Sequence, residues 1–288
     1  MLGRISSTLI HLRKKYGSVY ERVLPLKVRA VLWHCFTIVE GLRATSDESA
    51  IAFYTHNAER VTGVANMLCD ERSRREYLAI IAFRQSYRKR DYPLCDWKSP
   101  EYFIKEMTFG DDELFIDCGA YVGDTVDAFL KHCPTYRHIV AFEPDTGNFA
   151  KLKQKHGDDS RITLFNEGVY DTEGEVRFSA IGTECSAIND VSENTVAISV
   201  KTLDGLNLNN VSFIKMDIEG AELKALKGAE KTILRDKPKL AICIYHSKED
   251  MIDIAEYIHA LVPEYRLYIR HHNRWPLWQD TVLYAQMP

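Results

Sequence analysis

The sequence predicts an α/β fold in which a mostly parallel sheet, ending in an antiparallel strand pair, is preceded by a helical segment. From Leu114 onward short apolar runs alternate with amphipathic segments, the pattern of repeated βα units around a parallel sheet. Up to about Pro100 apolar positions instead recur at helical spacing, as in Val61, Val64 and Leu68 and again in Leu78, Ile81 and Ala82.

In chain order, residues 1–100 read as a helical N-terminal module. Tyr92, Pro93, Trp97 and Pro100 break that pattern, because proline disrupts a helix and pushes the residue before it toward extended geometry. The boundary is placed there, with residues 101–288 as the second domain. Its expected strands are LFID, HIVAFEP, ITLFNEGV, SFIKMDI, KLAICIY, YRLYIRH and DTVLYAQ. Helical patterns lie between them, for example Val126, Phe129 and Leu130, or Leu223, Leu226, Ile233 and Leu234. The last two strands have no helical length between them and are expected to pair antiparallel at the sheet edge. EVRFSAI and TVAISVKTL flank a polar loop, Gly182 to Asn194, and read as an inserted hairpin.

Composition narrows the function classes. The 288 residues are 45% hydrophobic and 27% charged, enough for one large domain with an appendage. A formal net charge of -4 lacks the positive field that grips nucleic-acid phosphates, so no nucleic-acid partner is expected. Seven cysteines, an odd number without a C-x-x-C pair, argue against a disulfide framework or zinc cluster and fit a reducing, cytoplasmic compartment. AVLWHCFTIVEGL is too short to span a bilayer and contains His34 and Glu40. Between Met1 and Arg43, eight Lys or Arg stand against Glu21 and Glu40, a surplus including Lys14 and Lys15 that either contacts a membrane surface peripherally or is a solvated helix face.

The chemistry concentrates at strand ends. In FIDCGAYVGDT an apolar strand ends at Asp117, and Gly119 and Gly123 precede a helical pattern. Glycine permits a tight turn and close backbone approach, and the helix start offers free N–H groups to an anionic group. This Rossmann-like turn lacks the full G-x-G-x-x-G wording, since Ala120 and Tyr121 occupy its middle. HIVAFEPD then places Glu143 at the end of the second strand, 26 residues beyond Asp117, where a carboxylate accepts both ribose hydroxyls. Dinucleotide and S-adenosylmethionine sites share that device. VSFIKMDIEGAELKALKGAEKTIL adds Asp217, Glu219 and Glu222, carboxylates that suit a sulfonium cation and an acceptor that must lose a proton. Helix-start preference for acidic residues is an equal explanation of Glu219 and Glu222.

Together these blocks, with VKTLDGL and the terminal DTVLYA, resemble the FkbM-type S-adenosylmethionine-dependent methyltransferases from about Asp111 to Gln286. The resemblance implies a class I methyltransferase fold and transfer of a methyl group from S-adenosyl-L-methionine to a small-molecule or saccharide acceptor, usually a hydroxyl of a sugar or natural product, with no required metal. It also implies that Asp117, Gly119, Tyr121, Gly123 and Thr125 surround the methionine part of the cofactor, Glu143 the ribose, and Asp217 the floor beside the sulfonium. Tyr121 departs from the family's commoner wording, where a small polar residue such as Asn is frequent.

Methyl transfer needs acceptor oxygen, methyl carbon and sulfur in line, water excluded, and a base for the hydroxyl proton. Asp217 and His246, at the ends of expected parallel strands, are the candidate catalytic bases. His271 is preferred over His272 as a residue facing the acceptor, since neighbours on a strand point to opposite faces. The loop from Ser186 to Asn194 and the helical first third are expected to set acceptor selectivity. Two alternatives stay open: a nicotinamide-dependent oxidoreductase, which leaves the DIEGAE segment without a task, and a non-catalytic assembly protein on the same fold.

Overall fold

The computed structural model describes residues 48–86, 91, 100–179, 195–273 and 279–288. The basic stretch up to Arg43, the Ser186–Asn194 loop, and Tyr92, Pro93 and Trp97 at the expected boundary lie outside them. The helical segment contains α1 (Glu48–His56), α2 (Ala58–Met67) and α3 (Glu71–Ser86). There follow β1 (Leu114–Cys118), α4 (Asp124–His132), β2 (His138–Phe142), α5 (Thr146–His156), β3 (Ile162–Phe165) and β4 (Gly168–Val169). Next come β5 (Gly174–Ser179), β6 (Thr195–Lys201), β7 (Phe213–Met216), α6 (Glu222–Lys227) and α7 (Glu230–Asp236). The chain ends with β8 (Lys239–Cys243), α8 (Asp250–Leu261), β9 (Arg266–His271) and β10 (Thr281–Gln286).

Seven strands form one sheet in the order β3-β2-β1-β7-β8-β10-β9. All neighbours pair parallel except β10, which runs antiparallel to both β8 and β9. The last strand of the chain therefore inserts inside the sheet, and β9 takes the edge. The chain leaves β1 outward to β2 and β3 and returns to β7 on the other side of β1, so the order reverses between β1 and β7. Beyond the carboxyl ends at such a switch point lies the crevice where ligands of open α/β sheets bind.

The expected hairpin is present, with β5 and β6 antiparallel from Gly174 opposite Val200 to Ser179 opposite Thr195. The run read as one strand, ITLFNEGV, divides: β3 ends at Phe165, and Gly168 and Val169 pair instead with β6. Asn166 causes the break, its side-chain amide donating to the carbonyls of Glu143 and Pro144 at 2.9 and 3.1 Å.

Strand periodicity assigns the two sheet faces. Leu114, Ile116 and Cys118 of β1 join Ile214 and Met216 of β7 in a core shared with Val61 and Val64 of α2, Tyr77, Ile80 and Ile81 of α3, and Ile254 and Ile258 of α8. Phe115 and Phe213 face the other way, against Val126 and Phe129 of α4 and the segment Tyr102–Met107. The helical segment thus shares the hydrophobic core of the sheet. On α3 the inward stripe is Ser73, Tyr77, Ile80 and Arg84, while Leu78, expected on the apolar face, is 45% exposed. That stripe follows the three- and four-residue steps of a helix, and the step from Leu78 lands on the outer side.

The same helix closes the sheet edge. Ser73 Oγ accepts the N–H of Ile269 at 3.1 Å, and the Glu76 carboxylate accepts that of His271 at 2.9 Å. Edge-strand donors that would otherwise offer a pairing template are satisfied in this way. Among the described residues no helix is long and apolar enough to cross a membrane.

Candidate active site

The turn after β1 is shaped by close backbone approach. Gly119 and Ala120 donate their N–H groups to the Phe142 carbonyl at 3.0 and 2.9 Å, drawing β1 and β2 together at their ends. Gly119 has φ +86°, and a Cβ there would stand 1.9 Å from the Asp217 carbonyl oxygen, so only glycine lets the ends of β1 and β7 meet. Gly123, also left-handed, caps α4. Tyr121 sits at φ +48°, the region that Asn tolerates best among residues with a side chain, which explains the small polar residue frequent at this position.

That left-handed turn aims the Tyr121 N–H at Glu143. Glu143 Oε2 accepts it at 2.8 Å, and Oε1 accepts the Asp145 N–H at 2.8 Å. Each oxygen retains acceptor capacity toward the cavity that Glu143 lines. Burial pushes the Glu143 carboxyl up to about 7, against the opposing pull of those two backbone donors.

The floor is an electrostatic pair and a carboxylate. Asp117 and Lys215 are opposite each other in the β1–β7 register and project to the same face as Phe115 and Phe213. Their side chains are 0% and 2% exposed, with Lys215 Nζ 3.1 Å from Asp117 Oδ1 and donating to the Gly119 carbonyl at 2.7 Å. Burial alone would lower the Lys215 pKa, but the charges of Asp117 and Asp217 outweigh it and hold the ammonium protonated. Asp217 Oδ2 accepts the Tyr102 hydroxyl at 2.9 Å and Oδ1 the Tyr245 hydroxyl at 3.1 Å. Burial raises the Asp217 carboxyl, yet Lys215, His246 and the two phenols together keep it below the usual carboxylate range.

The DIEG turn beyond β7 is organised by Glu222, which accepts the N–H groups of Ile218 and Gly220 at 2.8 and 3.0 Å. His246, arriving from β8, stands among Asp217, Glu219 and Glu222. Burial lowers its pKa, but the three carboxylates, Glu222 foremost, overcome that and push it up to about 9. It is therefore an imidazolium near neutral pH, and its proton-accepting form is scarce there.

One cavity at the switch point is lined by Gly119, Tyr121, Thr125, Glu143, Asp217 and Glu219 from the sequence-derived set. Asp117, Gly123, Glu222 and His246 stand directly behind that lining, in contact with it. His271 is elsewhere: it is 0% exposed, its Nδ1 is 3.0 Å from Thr281 Oγ1, and burial pushes it down to about 3. Strand alternation allowed one of His271 and His272 to face the cleft, but neither lines it, β9 being the edge strand, separated from β7 by β8 and β10. Sequence reasoning missed Lys215, Tyr102, Tyr245, Glu101 and Asp280, all of which line the cavity. A lysine amid the apolar run SFIKM was the available signal for the first. Glu101, pushed up to about 8 by burial and by the charges of Asp280 and Asp217, adds a further carboxyl to the cavity lining.

The sequence profile of the methyltransferase FkbM domain matches residues 117–273. Among solved structures, the methyltransferase FkbM from Methylobacillus flagellatus KT aligns at 29% identity and a TM-score of 0.69, covering 81% of this chain and 60% of that one. The chain thus spans 60% of the length of that relative. An rRNA methylase from Streptococcus thermophilus aligns at 16% identity and a TM-score of 0.40, covering 62% of this chain and 89% of that one. Aeropyrum pernix fibrillarin, solved with natively bound S-adenosyl-L-methionine, aligns at 10% identity and a TM-score of 0.38, covering 61% and 66%. Likenesses that distant leave the chemistry to this chain's own residues. None of the curated proteins matches the chain. With more than half of its length matched, and with the mostly parallel sheet of a class I methyltransferase, this chain belongs to the FkbM methyltransferase family.

Proposed function

We propose that the chain is an S-adenosyl-L-methionine-dependent O-methyltransferase acting on a hydroxyl of a sugar, glycan or natural product. The observation that carries this reading is one cavity uniting the Gly119 turn, the Glu143 carboxylate and the Asp217 floor at the switch point of the sheet. The residues fit the cofactor: Gly119 lets the turn close against the end of β7, and Glu143 has acceptor capacity left for ribose hydroxyls after its two backbone bonds. Gly119, Tyr121 and Thr125 hold the methionine part, with Asp117 and Gly123 positioning that turn from behind. When bound, the cofactor supplies an electrophilic methyl group on a sulfonium.

The chain's own tasks are orientation, exclusion of water and removal of the acceptor proton. Asp217 is ionised, is aimed by two phenols and takes that proton at the cavity floor. His246 acts through Asp217, its positive charge keeping the carboxylate ionised. Glu219 lines the acceptor side, and Glu222 fixes the turn that presents it. The acidic lining favours a small-molecule or saccharide acceptor over a nucleic acid, whose phosphates it would repel. A peripheral membrane contact of Lys14 and Lys15 is a separate proposal, checked by liposome sedimentation of the full chain and of a variant with both neutralised.

Calorimetric titration of S-adenosylhomocysteine tests the reading. Micromolar binding is expected, weakened at least about tenfold by Glu143→Ala, a loss of about 1.4 kcal/mol. A folded wild type that does not bind would sink the proposal and favour a non-catalytic role on this fold.

A further inference from the structure

The cavity extends past the residues assigned to the cofactor. Its lining crosses the sheet in strand order: Glu143 past the end of β2, Gly119 past β1, Asp217 past β7, Tyr245 past β8, and Asp280 before the start of β10. Because β10 runs antiparallel to β8, its first residues lie at the same end of the sheet as the last residues of the other strands. The four steps from β2 to β10, at about 4.8 Å each, put Glu143 and Asp280 roughly 19 Å apart. Ribose and methionine take the half over β2, β1 and β7 under the cofactor reading, which leaves the half over β8 and β10 to the acceptor.

This cavity is acidic beyond what the chain neutralises. Glu101, Asp124, Glu143, Asp217, Glu219 and Asp280 line it, and Lys215 is the one Lys or Arg beside them among the described residues. Lys215 is committed to Asp117 and the Gly119 carbonyl, and His246 stands behind the lining with Asp217, Glu219 and Glu222. The cofactor brings one net positive charge, a sulfonium and an ammonium against a carboxylate, and its sulfonium reaches only as far as Asp217. Glu101 shows the imbalance: burial, then the charges of Asp280 and Asp217, push its carboxyl up to about 8, against Lys215 and a hydrogen bond with Tyr102. Those couplings place it in the second half of the cavity, where its neighbour Tyr102 donates its backbone N–H to the Tyr284 hydroxyl of β10 at 3.1 Å. Asp217 is held by two phenols and is assigned the acceptor hydroxyl, so Glu101 is available to a second group on the acceptor. Carboxylates crowded away from bulk water are relieved by a proton or by a cation from outside.

We propose that the acceptor carries a protonated amine, which Glu101 takes at the β10 end of the cavity, reinforced by the negative charge of Asp280, while the acceptor hydroxyl faces Asp217. The ammonium donates to the ionised carboxylate, so its binding draws Glu101 into that form. Charge-assisted hydrogen bonds are about twice as strong as neutral ones, and an uncharged analogue of the same shape therefore binds more weakly. A carboxylate or phosphate at the same place on the acceptor is repelled. That the amine belongs to a methyl acceptor rests on the methyl-transfer proposal; the preference of this half of the cavity for a cation does not.

The full chain with S-adenosylhomocysteine, in amine-free phosphate buffer near neutral pH, is titrated by saturation-transfer difference NMR with two pairs of probes. These are D-glucosamine against D-glucose and cyclohexylamine against cyclohexanol, and the pair that responds tells whether a sugar or an apolar ring carries the amine. In at least one pair the amine is expected to bind at least about tenfold more tightly than its neutral partner, and Glu101→Gln should weaken that amine at least about tenfold. If Glu101→Gln does not fold, Asp280→Asn carries the comparison, since Asn tolerates the left-handed φ of +58° there. Failure of both amines to exceed their neutral partners, by equal binding or by none, overturns the subsite, as does an amine preference that the variant leaves intact. Titration of S-adenosylhomocysteine alone separates the two proposals. Its binding to a wild type without amine preference leaves the methyltransferase reading standing, whereas a Glu101-dependent amine preference without its binding upholds the subsite and removes the methyl-transfer role.

Discussion

Replacing Lys215 by Met keeps the apolar stem and removes the cation that Asp117 faces inside the sheet. The two side chains are 2% and 0% exposed, and the oxygens of Asp117 make no hydrogen bond to compensate. The Gly119 carbonyl loses its 2.7 Å donor as well. Leaving one member of a buried pair uncompensated costs about 3–5 kcal/mol. At about 2–4 °C per kcal/mol for a domain of this size, the melting temperature should fall by about 10 °C at pH 7. Differential scanning calorimetry of Lys215→Met, of Asp117→Asn and of the double variant measures this. The double variant should recover part of the loss, because no buried charge remains. The deficit of Lys215→Met should also shrink on acidification. Burial already raises the Asp117 carboxyl, and a group raised in the folded state stabilises below its unfolded value and loses that contribution as pH rises through its folded value. A melting temperature within about 2 °C of wild type, or equal losses in single and double variants, would refute the account of this pair.

Glu143, pushed up to about 7, should make S-adenosylhomocysteine binding tighten as pH rises through that value, because ribose hydroxyls donate to the ionised form; calorimetry across about pH 6–8 should show a slope that Glu143→Gln lacks. The same shift makes the group's contribution to stability greatest below its ordinary value near 4.5 and lost as pH passes 7. Gly119→Ala should lose cofactor binding and lower the melting temperature, since its Cβ would meet the Asp217 carbonyl at 1.9 Å; binding at wild-type affinity would contradict the close approach. His271, held down near 3 against an unfolded 6.5, binds fewer protons folded than unfolded, so its contribution is present above 6.5 and lost as pH falls. His271→Gln should therefore move the acid-unfolding midpoint to lower pH and leave S-adenosylhomocysteine affinity unchanged, and a weakened affinity would return β9 to the site.

Local pattern made much of the fold legible. Each strand of the main sheet is an apolar run such as LFID or HIVAF, and the ends of β1, β2 and β7 are marked by Asp117, Glu143 and Asp217 in plain view. Gly119 was legible as a close approach, though not what it approaches. The division of ITLFNEGV was hidden because it depends on Asn166 finding the Glu143 and Pro144 carbonyls, 23 and 22 residues away. His271 misled because strand alternation says which of two neighbours shares a face but not where the strand sits in the sheet.

Sequence alone thus determined the element types, the glycine turn and the acidic strand ends, since each follows from spacing within a few residues. Tertiary structure decided the electrostatics of the site. Asp117 meets Lys215 only through the β1–β7 register, and Asp217 receives Tyr102 from 115 residues away and Tyr245 from 28. Whether a carboxylate is ionised depends on burial and on the charges beside it, and those are properties of packing that no local window of the chain contains.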